Sequence, residues 1–311
     1  MHEGSKRAIF AAFLANLGIA IAKFVGFVIT GASSMLAESI HSCADTANQG
    51  LLFFGARQAA RAPTPEHPFG YGRDRYFWSF VVALVLFSVG GLFAVYEGIE
   101  KIRSPHEIES PGVAFGILGV ALVLEMFSLR TAVREARKER GRHSWVSYIR
   151  RSKSPELPVV LLEDLGALLG LALALTGLTF AVVTDEPRYD GVGTLAIGIL
   201  LVAIAVVLVV EMKSLLIGES ASGEQQARIL AEIEGTPRVS RVIHMRTLHL
   251  GPDELLVAAK VEFAPSLSTR EVADTIDTIE GRVRSAVPIA RVIYLEPALF
   301  GEPSGAPEPA G

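Results

Sequence analysis

Apolar runs long enough to cross a hydrocarbon core recur along the first two thirds of the chain, separated by polar connections. Spans are predicted at about 8–29, 33–55, 77–99, 113–129, 157–183 and 192–216, each within the roughly 17–25 residues, or slightly more, that a bilayer core requires. The first is interrupted by Asn16 and Lys23 and no small-residue cleavage site follows it, so it reads as a retained helix. After Gly218 the pattern becomes that of a small water-facing domain. Ser222 to Gln225 and Ser268 to Glu271 have capping-box spacing. The first opens a helix ending near Gly235, and the second opens one with Val272, Ile276, Ile279 and Val283 on a single face. Strand-like runs at 241–249, 255–263 and 289–295, with Gly251-Pro252-Asp253 as a turn, complete the order α-β-β-α-β. The expected architecture is an α-helical membrane protein, with six transmembrane helices over 1–218 followed by a small α+β domain of ferredoxin-like type over 219–297. The Pro- and Gly-containing tail, 298–311, reads as disordered.

Composition agrees with a bilayer. Half of the 311 residues are hydrophobic although the formal net charge is only −4. The charge is unevenly placed. Arg57, Arg61, Arg73 and Arg75 lie between spans two and three, and nine basic residues from Arg130 to Lys153 follow span four. The outer connections carry only Lys101, Arg103 and Arg188. This bias places both termini in the cytoplasm; a bacterial inner membrane is the expected host, and an organelle membrane is equally compatible with the charge pattern. The basic run is read as a solvated, orientation-setting face and not as a nucleic-acid site. Cys43 is the only cysteine, so no disulfide framework is expected.

Span two carries polar residues that hydropathy does not explain. With about 100° per residue, Glu38, His41, Asp45, Asn48 and Gln49 share one face, while Cys43 points away. Such a stripe facing lipid would cost several kcal/mol, so it faces a polar cavity or other helices. For Asn16, Asn48 and Gln49, interhelical hydrogen bonding is an equal alternative to a ligand role. His41 with Asp45 joins an imidazole to a carboxylate at i,i+4, a bite that suits a divalent transition metal. Span five offers Glu163 and Asp164, adjacent acids that diverge by about 100° and so are expected to do different jobs. Gly166, Gly170 and Ala174 lie on the Glu163 side and admit a neighbouring helix. Asp164 is therefore the better metal ligand, and Glu163 a proton acceptor, a supporting group or an interfacial charge. Glu125 in span four is a further candidate, or a partner of Arg130.

Four stretches together resemble the cation diffusion facilitators, in their zinc-transporter-like branch. They are Ser33 to Asp45, His67 to Trp78 (HPFGYGRDRYFW), Tyr189-Asp190-Gly191-Val192-Gly193 and Ser214 to Ala221 (SLLIGESA). The resemblance runs from about Arg7 to Glu296. It implies a homodimer that moves divalent metal, most often zinc, out of the cytoplasm in exchange for protons, with no prosthetic group and no enzymatic activity. Members of the family take one pair of ligands from span two, here His41 and Asp45, and a His-x-x-x-Asp pair from span five. Asp164 fits the second half of that pair, but Val160 stands where its histidine would be. Glu163, Glu38, Asn48 or water is left to complete the site. Fewer imidazoles and more oxygens move preference toward manganese, iron or cobalt; His41 keeps zinc first, and cadmium belongs to the same panel.

In the C-terminal domain the resemblance implies dimerisation. His244 is similar in position to a metal ligand of some members, but Lys260, Tyr294 and Glu296 occupy the other positions. His244 and His249, five apart on a strand, face opposite sides. Metal binding requires neutral His41 and ionised Asp45 and Asp164, so metal and protons compete, which suits alternating access. A membrane metal sensor or scaffold would keep the same ligands. An intramembrane hydrolase would need a base beside an open zinc position, and no H-E-x-x-H pair occurs.

Overall fold

The computed structural model describes residues 3–299. Asn16's side chain and the tail from 300 onward, both subjects of sequence expectations, lie outside the described residues. The described residues form two compact units, 3–58 with 74–213, and 59–73 with 214–299.

The first unit is helical. Its long helices are α1 (Glu3–Thr30), α2 (Ser33–Ala59), α3 (Asp74–Val85) continued through a π-helical segment (Leu86–Leu92) into α4 (Phe93–Arg103), α5 (Pro111–Arg140), α7 (Glu156–Thr184) and α8 (Arg188–Ile217). A short α6 (Trp145–Arg151) lies between α5 and α7. Among the described residues four helices are long and apolar enough to cross a membrane: the continuous 74–103 helix, α5, α7 and α8. Their outward faces carry large apolar side chains such as Phe127, Phe180, Val183 and Val210, as lipid contact requires. Leu118, Leu171, Leu178, Ile197, Leu201 and Leu208 fill the interior.

Small residues let the helices approach. A Cβ on Gly98 would stand 2.5 Å from the Leu195 backbone nitrogen, and one on Gly198 would stand 2.5 Å from that of Val95, so α4 and α8 meet backbone to backbone.

Two helices of this unit depart from the sequence expectation. The fourth span, expected to end at 129, continues as helix to Arg140, because hydropathy marks where the apolar face stops and says nothing about helix propensity. Ala132 and Ala136 remain buried there against Tyr148 and Leu161, and Arg, Lys, Glu and Ala all favour helix. The second is α6, which was not expected. Ser144 caps it by accepting from the Ser147 backbone N–H, and Tyr148 is buried below it, its hydroxyl donating to Glu139 at 3.0 Å.

The second unit contains α9 (Gly223–Glu234), β1 (Val239–Gly251), β2 (Glu254–Phe263), α10 (Thr269–Ala286) and β3 (Ala290–Leu299). Both capping boxes form, Ser222 with Gln225 and Ser268 with Glu271. The sheet order is β1-β2-β3, with β1 and β2 antiparallel and β2 and β3 parallel across the α10 crossover. Alternate residues Leu255, Val257, Ala259, Val261 and Phe263 point into one core with Ile229, Ile233, Ile279 and Val283 of the two helices. β3 extends beyond the expected 295: Ala298 and Leu299, placed in the tail by sequence, pair with Glu262 and Phe263. Segment 59–73 joins this unit because Gly72 lies against the β1–β2 turn. A Cβ there would meet the Leu250 carbonyl at 2.8 Å.

Candidate metal site

The polar face of α2 is directed inward. Glu38, His41 and Asn48 are buried, and Asp45 is nearly so. One helical turn separates His41 from Asp45, and its Nε2 lies 3.5 Å from Asp45 Oδ2. Neither imidazole nitrogen has a hydrogen-bond partner among the described residues. A buried polar ring without a partner is rare and points to a ligand that would satisfy it. The π-helical segment faces the same ring, since a Cβ on Gly90 would stand 3.8 Å from His41 Nδ1. Extra-residue turns of this kind recur at functional sites.

The adjacent acids of α7 diverge, as their spacing requires. Glu163 accepts a hydrogen bond from Asn48 Nδ2 at 2.6 Å, which ties α7 to α2. Asp164 accepts from Ser128 Oγ at 2.9 Å, which ties α7 to α5. Asp45, Glu125, Glu163 and Asp164 line one cavity of about 20 Å³, together with Ser42, Gln49, Ser128 and Val160. That volume holds one water-sized occupant. Four carboxylates around a space of this size, inside apolar helices, cannot all be ionised without a cation.

The cavity brings Asp45 together with Asp164, Glu163 and Glu125. It does not include His41, which stands beside Asp45 and outside the cavity wall. Glu38 does not reach the cavity either. It pairs with Lys23 Nζ at 3.0 Å, and Lys23 also donates to Ser42 Oγ at 2.8 Å. Gly170 of α7 admits this pair, because a Cβ there would lie 2.6 Å from Glu38 Oε1. Val160, where a histidine ligand was missed in the sequence, lines the cavity as an apolar residue. Among the described residues no three His, Cys, Asp or Glu groups form a closed metal cluster. The acids surround a space without converging on a point.

Sequence reasoning missed two members of this region. Ser128 has a signal in its spacing, three residues after Glu125 on the same face of α5. Lys23 was visible only as an interruption of the first apolar run. In the second unit, His244 is exposed opposite Lys260, which pairs with Glu296 at 3.0 Å, whereas His249 is buried with Nδ1 3.3 Å from the Gly251 carbonyl. The two imidazoles face opposite sides of β1, in agreement with their spacing.

A second buried polar group closes the α1–α2 turn. Asp190 of α8 accepts from the Ser33 backbone N–H at 2.7 Å and from the Ser34 hydroxyl. Ser33 Oγ donates to Glu97 at 2.9 Å, and Lys101 donates to the His106 carbonyl at 2.7 Å and to that of Gly31.

Residues 9–217 match the family profile described as the cation efflux transmembrane domain, and residues 221–298 match that described as the cation efflux protein cytoplasmic domain. The chain is 34% identical over 266 residues to the proton-coupled zinc antiporter SLC30A9, mitochondrial, of Xenopus laevis, covering 84% of this chain and 48% of that one. It is 32% identical over 277 residues to the Homo sapiens protein of the same name, with 88% and 49% covered. Metal tolerance protein C4 of Arabidopsis thaliana is 28% identical over 263 residues, with 84% and 58% covered. The chain thus spans about half the length of these curated relatives. Two of the three names place their proteins in mitochondria and give no support to the bacterial inner membrane expected from the sequence. With the transmembrane profile alone covering more than half of its length, the chain belongs to the cation efflux family, the cation diffusion facilitators that its motifs resemble.

Proposed function

We propose that this protein exports divalent metal, zinc first, by exchanging it for protons across the membrane in which it is integral, and that it works as a homodimer. The observation that carries the reading is the cavity where Asp45 and Asp164 meet between apolar helices, with Glu125 and Glu163 beside them. One occupant fits, and either a dication or protons can balance its charge. The transmembrane profile and the relatives named proton-coupled zinc antiporters support the same assignment.

In this reading all six long helices cross the bilayer, and the ferredoxin-like C-terminal unit lies in the cytoplasm with both termini, on the side that the basic residues mark. That unit supplies the dimer contact, in keeping with its family description. Asp45 and Asp164 are the principal ligands, and His41 joins them by a small rotation of α2 that brings its unpartnered nitrogens to the ion. Glu163 and Glu125 take up protons or complete the shell. Asn48 fixes Glu163, and Ser128 fixes Asp164. Metal loads from the cytoplasmic side, the helices rearrange, and protons arriving from the other side displace it. Because ligand and proton bind the same groups, each shifts the two conformations only by its differential affinity. The protein is a transporter and no residue is assigned a catalytic role.

The test is transport by the full chain in proteoliposomes, read with a pH-sensitive dye against zinc, manganese, iron, cobalt and cadmium. Asp45→Ala, Asp164→Ala and His41→Ala are each expected to abolish zinc-driven proton flux while expression and dimerisation persist. Full flux in the Asp45 and Asp164 variants rejects the site.

A further inference from the structure

Lys23 is a fully buried ammonium in a helix of the membrane unit, and it is bonded to a residue that lines the acidic cavity. Its Nζ bonds Glu38 at 3.0 Å and Ser42 Oγ at 2.8 Å. Ser42 is itself a wall residue of the cavity, three positions before Asp45. The ammonium is thus one side chain away from the cavity wall. A lysine here is costly to bury, and if helix packing were its only purpose a neutral pair would serve as well.

An antiporter must release its cargo as well as bind it. Carboxylates alone in a low-dielectric cavity would hold a dication too tightly for turnover, and a fixed positive charge nearby weakens that hold without blocking the site. Glu38 keeps the ammonium in place, and Ser42 brings it to the cavity wall. We propose that Lys23 is an affinity-setting residue of the transport site: a tethered cation that lowers the affinity of the cavity for divalent metal and so permits release. The inference rests on the transport reading of the cavity given above.

The experiment measures zinc binding to the purified full chain by calorimetry, and zinc-driven proton flux in proteoliposomes, for wild type and four variants. Lys23→Met is expected to tighten the zinc Kd by about ten- to a hundredfold, the scale of removing one charge near a partly screened dication. It should also lower KM and kcat together, because release becomes slow. Lys23→Arg keeps the charge and is expected to bind zinc as wild type does. Glu38→Gln leaves the ammonium without its counter-charge and should weaken binding. Lys23→Met with Glu38→Gln removes both charges, and because the ammonium reaches the wall residue Ser42 while Glu38 lies outside the cavity, it should bind zinc tighter than wild type but less tightly than Lys23→Met. A role in packing alone predicts lost stability in Lys23→Met with no tighter binding. Unchanged or weaker zinc binding in a folded Lys23→Met protein overturns the proposal. Where that variant does not fold, unchanged binding in Glu38→Gln overturns it. Absence of zinc binding in wild type would instead refute the transport reading, so the two failures are distinct.

Discussion

Replacing Asp190 with asparagine is expected to destabilise the membrane unit by about 2–4 kcal/mol, and the geometry sets that figure. Ser33 is the first residue of α2, so its N–H has no acceptor within its own helix. Asp190, reaching from the start of α8, takes the place of a local capping side chain for that N–H and also binds the Ser34 hydroxyl. Its carboxylate lies in the field of the buried Lys101 ammonium. Asparagine has the same shape and one acceptor oxygen. It can keep the Ser33 bond and turn its NH₂ toward Ser34 Oγ, which can rotate to accept. The charge is lost. Hydrogen bonds to a charged group contribute about 1.5–3 kcal/mol each and neutral ones about 1 kcal/mol, so two weakened bonds and a less compensated Lys101 give the stated range. Asp190→Ala leaves the Ser33 donor buried and unmet, and should cost more. Thermal unfolding of the purified protein reads the effect. At about 2–4 °C per kcal/mol for a unit of this size, Asp190→Asn is expected to lower Tm by at least about 4 °C. An unchanged Tm in both variants would refute the claim that α2 is capped from α8.

Ser128→Ala removes the hydroxyl that orients Asp164, and loss of such a supporting hydrogen bond typically weakens metal affinity by about ten- to a hundredfold; the zinc KM in proteoliposomes checks it, and an unchanged KM would detach Ser128 from the site. Gly72→Ala forces a methyl to within 2.8 Å of the Leu250 carbonyl, a backbone atom that cannot turn away, and should destabilise the C-terminal unit by about 1–3 kcal/mol, seen as a lowered unfolding transition. The Glu271 carboxylate accepts from the Ser268 N–H and hydroxyl, which hold its pKa below the ordinary value. Its folded pKa being depressed, its contribution is present above the usual glutamate range and is lost as pH falls through the folded value, so Glu271→Gln should flatten the acid limb of the stability curve for this unit.

Much of the fold was legible because two periods dominate the chain. Runs of apolar residues marked the long helices, and alternation with capping boxes marked the C-terminal unit. Expectation failed where burial ceased to be apolar in the ordinary sense. α5 continues past Leu129 because Ala132 and Ala136 pack beneath a row of arginines, a pattern that a hydropathy window averages away. Within the site, one helix face could be read reliably from spacing. His41 and Asp45 are adjacent, and Glu163 and Asp164 diverge. Relations between helices could not be read in this way. Nothing in the sequence says that Lys23 of α1 takes Glu38, that Ser128 of α5 takes Asp164, or that His41 stands outside the wall of the cavity that Asp45 lines. Each of these depends on how helices distant in sequence are rotated against one another.

Those rotations divide the acids of α2 into two electrostatic classes. Glu38 and Asp45 lie two turns apart on one face, and by spacing alone either could serve an ion. Glu38 is matched by a cation that is covalently part of the chain, at 3.0 Å, and so has little need of a mobile one. Among the described residues Asp45 has no such partner. Its neighbours in the cavity are three more carboxylates and neutral hydroxyl and amide groups, and the His41 imidazole lies 3.5 Å away. In a bilayer, uncompensated charge must be met by something that can enter and leave, whether a dication or protons. Under the proposed transport reading, exchange therefore falls on the side of α2 where Asp45 shares the cavity with Asp164 of α7. The Lys23 and Glu38 side, which cannot exchange its cation, is suited to setting how tightly the other side holds its own.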